Sequence, residues 1–425
     1  MALLLLLEDL LAPFAAAAVA LRFLLSSRRS ALKGLRAELP ERLGRPALPP
    51  GLGNERVWLH CASAGEVNAA AALVRELSRR GKAVLLTATT AAGRERARAL
   101  EGVAAAFLAP LDCGPAVSSF LSRAKPGLLL VVETELWPRM LEASLRRGLP
   151  CAVVNARMSP RSFKGYRLLS PLLRPLLGRL SLVAAQSEED ARRFRALGAA
   201  RVEVIGNMKY DAPLPAASLE AQARFSLLRW EGRAVFCAGS THAGEEEALL
   251  DAFAALEGEL KPSPRLILAP RHLERAQELA RLLERRGLAF CRWSAPDPAA
   301  RILLLDELGA LAALYALSDI AFVGGTLVPV GGHNLLEPAL AGLPVLFGPH
   351  TEHQAETARR LERGGGLRVE SPERLAPLLL ELLERPERRR KLGAAARRTA
   401  EDMRGATSRA LALLGPILSP QVLGP

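Results

Sequence analysis

The chain has 425 residues, half of them hydrophobic and 24% charged, which excludes a disordered chain and a multi-span membrane protein. Lys and Arg number 57 against 44 Asp and Glu, a net charge of +13 that points to an anionic partner: nucleic acid, acidic membrane or phosphorylated substrate. Aromatic residues make up only 4%, which argues against nucleic acid held by base stacking. Cys61, Cys113, Cys151, Cys237 and Cys291 lie far apart without a CxxC pair, so neither a disulfide framework nor a cysteine-ligated zinc is expected.

Residues 10–25, LLAPFAAAAVALRFLL, are followed by Arg28, Arg29 and Lys33. Pro13 and Arg22 interrupt the run, and a spanning helix needs about 20 apolar residues. Positive charge after the run, rather than before it, differs from a cleavable secretory signal and predicts that the rest of the chain is cytoplasmic. Residues 1–30 are expected to form a short membrane anchor or an interfacial helix. An apolar helix packed on the first domain is the other reading.

From residue 57 onward short aliphatic runs alternate with amphipathic patterns. VWLHC (57–61), VLLTAT (84–89), LLLVVE (128–133), AVVNA (152–156), LVAAQ (182–186) and VEVIG (202–206) read as strands. Helices are expected over Glu66–Arg80, around Gly93–Leu100 and over Trp137–Arg147. Residues 207–233, with Pro213 and Pro215, read as a linker. The rhythm resumes with AVFCAG (234–239), RLILAP (265–270), ILLLD (302–306), IAFVGG (320–325) and PVLFG (344–348). Continuous aliphatic strands separated by helices predict parallel sheets covered on both faces. The expectation is therefore α/β: two Rossmann-like doubly wound domains, 31–210 and 211–425, facing a cleft. Ligands of such sheets bind beyond the carboxyl ends of the strands, so residues just after strands are the candidates.

Ser63-Ala64-Gly65-Glu66 follows the first strand and puts Glu66 in the first turn of a helix, where it could complement the dipole or act as a general base. Glu133-Thr134-Glu135-Leu136-Trp137-Pro138 ends the third strand; Thr134 or Glu135 could cap the next helix, which leaves Glu133 at the binding edge. Asn155 and Arg157 end another strand, and the cations Arg157, Arg161, Lys164 and Lys209 gather near the same edge, as for an anion site. In the second half Ser240-Thr241-His242, Pro270-Arg271-His272 and the glycine-rich 324–334 stretch precede helices. Their backbone N–H groups could approach phosphate oxygens. Neither GxGxxG nor a P-loop occurs. His350 and His353 lack a third ligand, so no metal is expected. No GxSxG or nucleophilic cysteine context is present, and no cofactor is expected.

In this order WLHCASAGE, ETELWPRML, NARMSPRSFKGY, GNMKYD, GSTHAGEE, PRHLER and AFVGGTLVPVGGHNLLEPALAGLPVLFGPH closely resemble the 3-deoxy-D-manno-octulosonic acid (Kdo) transferases of lipid A biosynthesis. The match spans about residues 57–350, and the apolar start followed by ERLGR (41–45) is also similar. The resemblance implies a two-domain glycosyltransferase B-type fold. It implies inverting transfer of Kdo from CMP-Kdo to lipid IVA, the bis-phosphorylated lipid A precursor, at the cytoplasmic face of the inner membrane. By the matching motifs Glu66 is the general base, and Glu133 and Lys209 are transition-state stabilisers. Pro270 and Arg271, the segment Leu308, Gly309 and Ala310, and Asn334, Leu335, Leu336 and Glu337 match CMP-contacting segments. The chain departs from the family at Ala310, where Glu is frequent, and at His353, where Asn is common. Competing readings are a UDP-sugar transferase or epimerase on the same scaffold, and a non-catalytic binder of RNA or acidic lipid.

Overall fold

The computed structural model describes residues 38–211 and 219–418. The anticipated anchor at 1–30 lies outside them. Among the described residues no helix is long and apolar enough to cross a membrane.

The first sheet holds seven strands: β1 (Arg56–Cys61), β2 (Ala83–Ala88), β3 (Val103–Leu108), β4 (Leu128–Val132), β5 (Cys151–Ala156), β6 (Leu182–Ala185) and β7 (Val202–Val204). Their spatial order is β3-β2-β1-β4-β5-β6-β7, and every pairing is parallel. Alternate side chains enter two different layers. Trp58, Leu85, Leu129, Val131 and Val153 pack on one face, and Val57, Leu59, Leu86, Leu130 and Val132 on the other. A strand buried on both faces needs apolar residues at every position, which is why the sequence shows runs rather than alternation. Each such buried side chain contributes about 1.5–3 kcal/mol.

The second sheet comprises β8 (Val235–Thr241), β9 (Arg265–Pro270), β10 (Phe290–Arg292), β11 (Ile302–Leu304), β12 (Ile320–Val323), β13 (Val345–Phe347) and β14 (Gly366–Arg368). Its order, β10-β11-β9-β8-β12-β13-β14, is again fully parallel. In each sheet winding reverses once: between β1 and β4 in the first, and between β8 and β12 in the second. Such switch points leave a crevice at the strand carboxyl ends.

The expected strands are present, and three edge strands were not anticipated. β3 is alanine-rich, and β10 and β14 have three residues each, so none carries a strong strand pattern. The helix expected over 66–80 is interrupted at Ala70 into Ala64–Ala69 and Ala71–Arg79. The anticipated linker carries a 3-10 turn, Met208–Asp211, and a helix, Leu219–Ser226.

The domain expectation needs one correction. The second unit covers residues 219–403 of the described chain, and 404–418 belong to the first. Helix Ala406–Leu418 places Ala406, Ala410, Leu411 and Leu414 in the core layer of Val57 and Leu59. Asp211 fixes its start, accepting hydrogen bonds from the N–H groups of Gly405 and Thr407, both at 2.6 Å. The apolar stripe of this helix completes the first core, so the second domain does not run unbroken from 211 to 425 as expected.

Candidate active site

At the first switch point Glu66 follows β1 and Glu133 follows β4, so adjacent parallel strands deliver the two acids to one edge. Ser63 caps helix Ala64–Ala69, its hydroxyl accepting the Glu66 N–H. The Glu66 carboxylate reaches back: Oε2 accepts the Ala62 N–H at 2.6 Å, and Oε1 accepts the Ser63 hydroxyl at 3.3 Å. This is a variant of the reciprocal capping box. Burial pushes the Glu66 carboxyl up to about 7; the negative charges of Glu133 and Glu135 add to that, and the Ala62 hydrogen bond opposes it.

Glu133 has a left-handed backbone, φ 61°, and its Oε1 lies 2.9 Å from Lys209 Nζ. Asn155 at the end of β5 is fully buried with φ 53°; its Oδ1 accepts the Met208 N–H at 2.9 Å. It thereby ties the turn carrying Lys209 to the neighbouring strand. Ser240, in β8 of the other sheet, is also left-handed, φ 57°. Non-glycine residues in this region cost about 1–3 kcal/mol each, and such strain concentrates at functional sites. Neither Thr134 nor Glu135 caps helix Pro138–Arg146. Asp112 does so from a distant loop, accepting from the N–H groups of Arg139 and Met140. Glu135 instead accepts from Trp137 Nε1 at 2.9 Å, and burial raises its carboxyl.

At the second switch point Pro270 is buried at the end of β9, and Arg271 follows, exposed. Asn334 caps the helix Leu336–Leu340, its Oδ1 accepting the Leu336 N–H at 3.0 Å while its amide donates to Glu337 at 3.1 Å. Burial raises the Glu337 carboxyl, and nearby Arg271 partly offsets this. Leu335 and Leu336 are core residues, so only their backbone can meet a ligand. Leu308, 89% exposed, and Gly309, φ 90°, lead into Ala310 at the start of helix Leu311–Ala316, which packs on Leu336–Leu340. The three sequence-matched segments thus gather at one end of this sheet. Surface concavities lined by Arg56 and Lys82, or by Arg233 and Lys261, lie at the opposite ends, where strands begin.

The glycine-rich loop differs from expectation. The N–H groups of Gly325, Thr326 and Leu327 do not await a phosphate. They donate to the buried carboxylate of Glu245, at 2.7, 2.9 and 2.9 Å, as does the His242 N–H at 3.0 Å. Gly324 is required by close approach, since a Cβ there would lie 2.3 Å from Ser240 O. Glu245 was not singled out from the sequence. Its place within a run of three glutamates looks like ordinary helix-start acidity.

Two doubly wound units, each with polar groups gathered at its switch point, are the architecture of B-type sugar-nucleotide glycosyltransferases. Residues 37–212 match the family model described as 3-deoxy-D-manno-octulosonic-acid transferase (kdotransferase). A 3-deoxy-D-manno-octulosonic acid transferase of Bordetella pertussis is 38% identical over 401 residues, 90% of this chain and 93% of that protein. One from Haemophilus influenzae is 36% identical over 91% of this chain and 93% of its own. The chain belongs to the 3-deoxy-D-manno-octulosonic acid transferase family and is a glycosyltransferase of lipid A biosynthesis. A UDP-GlcNAc 2-epimerase from Neisseria meningitidis shares the fold alone, with TM-score 0.58 over 85% of this chain and 100% of its own at 15% identity.

Proposed function

We propose that the enzyme moves Kdo from CMP-Kdo to lipid IVA with inversion at the anomeric carbon. The observation that carries this reading is Glu66, a fixed carboxylate at the first switch point whose burial pushes it up to about 7. An acceptor hydroxyl is a poor nucleophile at neutral pH. A base matched to the working pH takes its proton during attack and contributes roughly 10²–10⁴-fold. Glu133 offsets positive charge developing at the anomeric carbon and holds Lys209. Lys209 stabilises the charge gained by the departing phosphate. On the second unit Pro270, Arg271, Leu308–Ala310 and Asn334–Glu337 hold the CMP moiety. CMP leaves already charged, so these groups can serve where a divalent metal otherwise would.

The test is product mass spectrometry after incubation with CMP-Kdo and lipid IVA. The expected product gains at least one Kdo residue. Transfer from a UDP-sugar, or competition by UDP but not CMP, would overturn the donor assignment.

The proposed location is the cytoplasmic face of the inner membrane. Its supports are the apolar 10–25 stretch and the exposed Leu168 (84%) and Leu169 (51%), which lie close in sequence to Arg161, Lys164 and Arg167. Each cation near an anionic surface adds about 1 kcal/mol, and one apolar element plus a basic patch makes a two-signal attachment.

A further inference from the structure

His242 follows β8 and His333 ends the loop after β12, so the two rings bridge the second switch point. Their Nε2 atoms are 2.7 Å apart and their planes differ by 4°. Nearly parallel planes with so short a contact leave no room for face-to-face stacking. The rings meet edge to edge, with one Nε2–H donating to the other Nε2. Their centroid separation of 5.0 Å fits that arrangement.

The proton count then follows. In the neutral pair the donating ring has a bare Nδ1, and the accepting ring carries its proton on Nδ1. The pair thus offers one outward donor and one outward acceptor. One further proton, taken from solvent onto the bare Nδ1, makes both outward nitrogens donors and leaves the Nε2–H···Nε2 bond intact. Among the described residues neither Nδ1 has a protein partner, and no side chain pairs with the Arg271 guanidinium, although Glu337 lies near it.

The surrounding charge favours a neutral pair when no anion is bound. His242 is faced by His272, Arg271 and Arg275, and His333 by Arg271, His272 and His353. Among the described residues the acid acting on His242 is Glu245, whose carboxylate already accepts four backbone N–H groups. Burial, followed by the neighbouring His242, Arg271, His272 and His353, lowers His333 to about 4. A unit anion within about 4 Å would raise an imidazole's proton affinity by roughly three pH units, enough to bring it near neutrality. Among the described residues no three His, Cys, Asp or Glu side chains group as metal ligands.

We infer that His242 and His333, together with Arg271, form a proton-linked receptor for the donor's phosphate, taking up one proton as the anion binds. The inference rests on the proposed use of this unit for CMP-Kdo. It adds two histidines that the motif comparison does not assign.

The probe is the methyl phosphodiester of CMP, whose phosphate charge is constant between pH 5.5 and 7.5, with cytidine as the uncharged control. Binding to the full-length enzyme is measured by calorimetry in buffers of differing ionisation heat. The expected result is proton uptake on binding and tightening as pH falls, by up to about tenfold per pH unit, the limit for one linked proton. His242→Gln and His333→Gln should each abolish uptake and flatten the pH dependence while keeping the weaker cytidine affinity, which also shows that they are folded. Diester binding that beats cytidine but takes up no proton in the wild type overturns the inference alone. Failure of the wild type to bind diester or cytidine overturns the donor reading and this inference with it.

Discussion

The ammonium of Lys209 stands 2.9 Å from Oε1 of Glu133, joining the 3-10 turn after β7 to the residue after β4. The cation is therefore placed by an acid that is itself a candidate stabiliser. Lys209→Gln and Glu133→Gln should each lower kcat by roughly 10²–10³-fold. The double variant should lose much less than the product of the two, because each substitution already breaks the pair. Steady-state turnover in a double-mutant cycle checks this; full additivity would separate their roles.

Glu66→Gln should lose roughly 10²–10⁴-fold in kcat and still bind CMP-Kdo. Wild-type kcat should rise with pH through about 7, as Glu66 gives up its proton. Stability should run the other way. The folded value is raised above the ordinary 4.5, so Glu66's stabilising contribution is complete below about 4.5 and lost as pH rises through about 7. Thermal melts of Glu66→Gln against wild type should therefore diverge in favour of the variant above pH 7 and converge near pH 4.5.

Asn155 acts on Lys209 through the Met208 N–H. Asn155→Gly keeps the left-handed backbone and removes the acceptor, so kcat should fall while CMP affinity holds. Asn155→Asp restores an acceptor at a site Asp tolerates and should recover part of kcat. Loss of CMP affinity in Asn155→Gly, or no difference between the two variants, would exclude the positioning role.

Glu245→Ala strands four backbone donors, those of Gly325 and Thr326 fully buried and those of His242 and Leu327 partly so. At about 1–3 kcal/mol for each of the two buried groups, a loss of at least about 2 kcal/mol is expected. Equilibrium denaturation in urea measures it; a loss below about 1 kcal/mol would mean that water replaces the carboxylate.

Flotation with anionic vesicles addresses attachment. The intact chain should float at low salt and partly at high salt, and a chain lacking residues 1–30 should float only at low salt. Salt-insensitive flotation of the truncated protein would contradict the two-signal account.

Central strands such as LLLVV of β4 were legible because burial on both faces leaves no alternative composition. Edge strand β3 was hidden by its alanines, and β10 and β14 by their brevity. Glu66, Glu133 and Lys209 could be named because each lies just beyond a strand, although only the fold brings Lys209 to Glu133. Glu245 and Asp112 escaped notice for a shared reason. Each satisfies backbone donors of a segment remote in sequence, Gly325–Leu327 for one and Arg139–Met140 for the other. Nothing local marks a carboxylate for such service. The bond between His242 and His333, separated by 91 positions, was unreadable for the same reason.

Because helix Ala406–Leu418 returns to the first unit, the second unit is topologically an insert with two splice junctions, near 212 and near 404. Chimeras exchanging it between relatives must respect both seams. A hybrid joined at a single crossover would give the recipient a foreign terminal helix against its β1 layer, and the mismatch would surface as poor folding of the half that had not been exchanged.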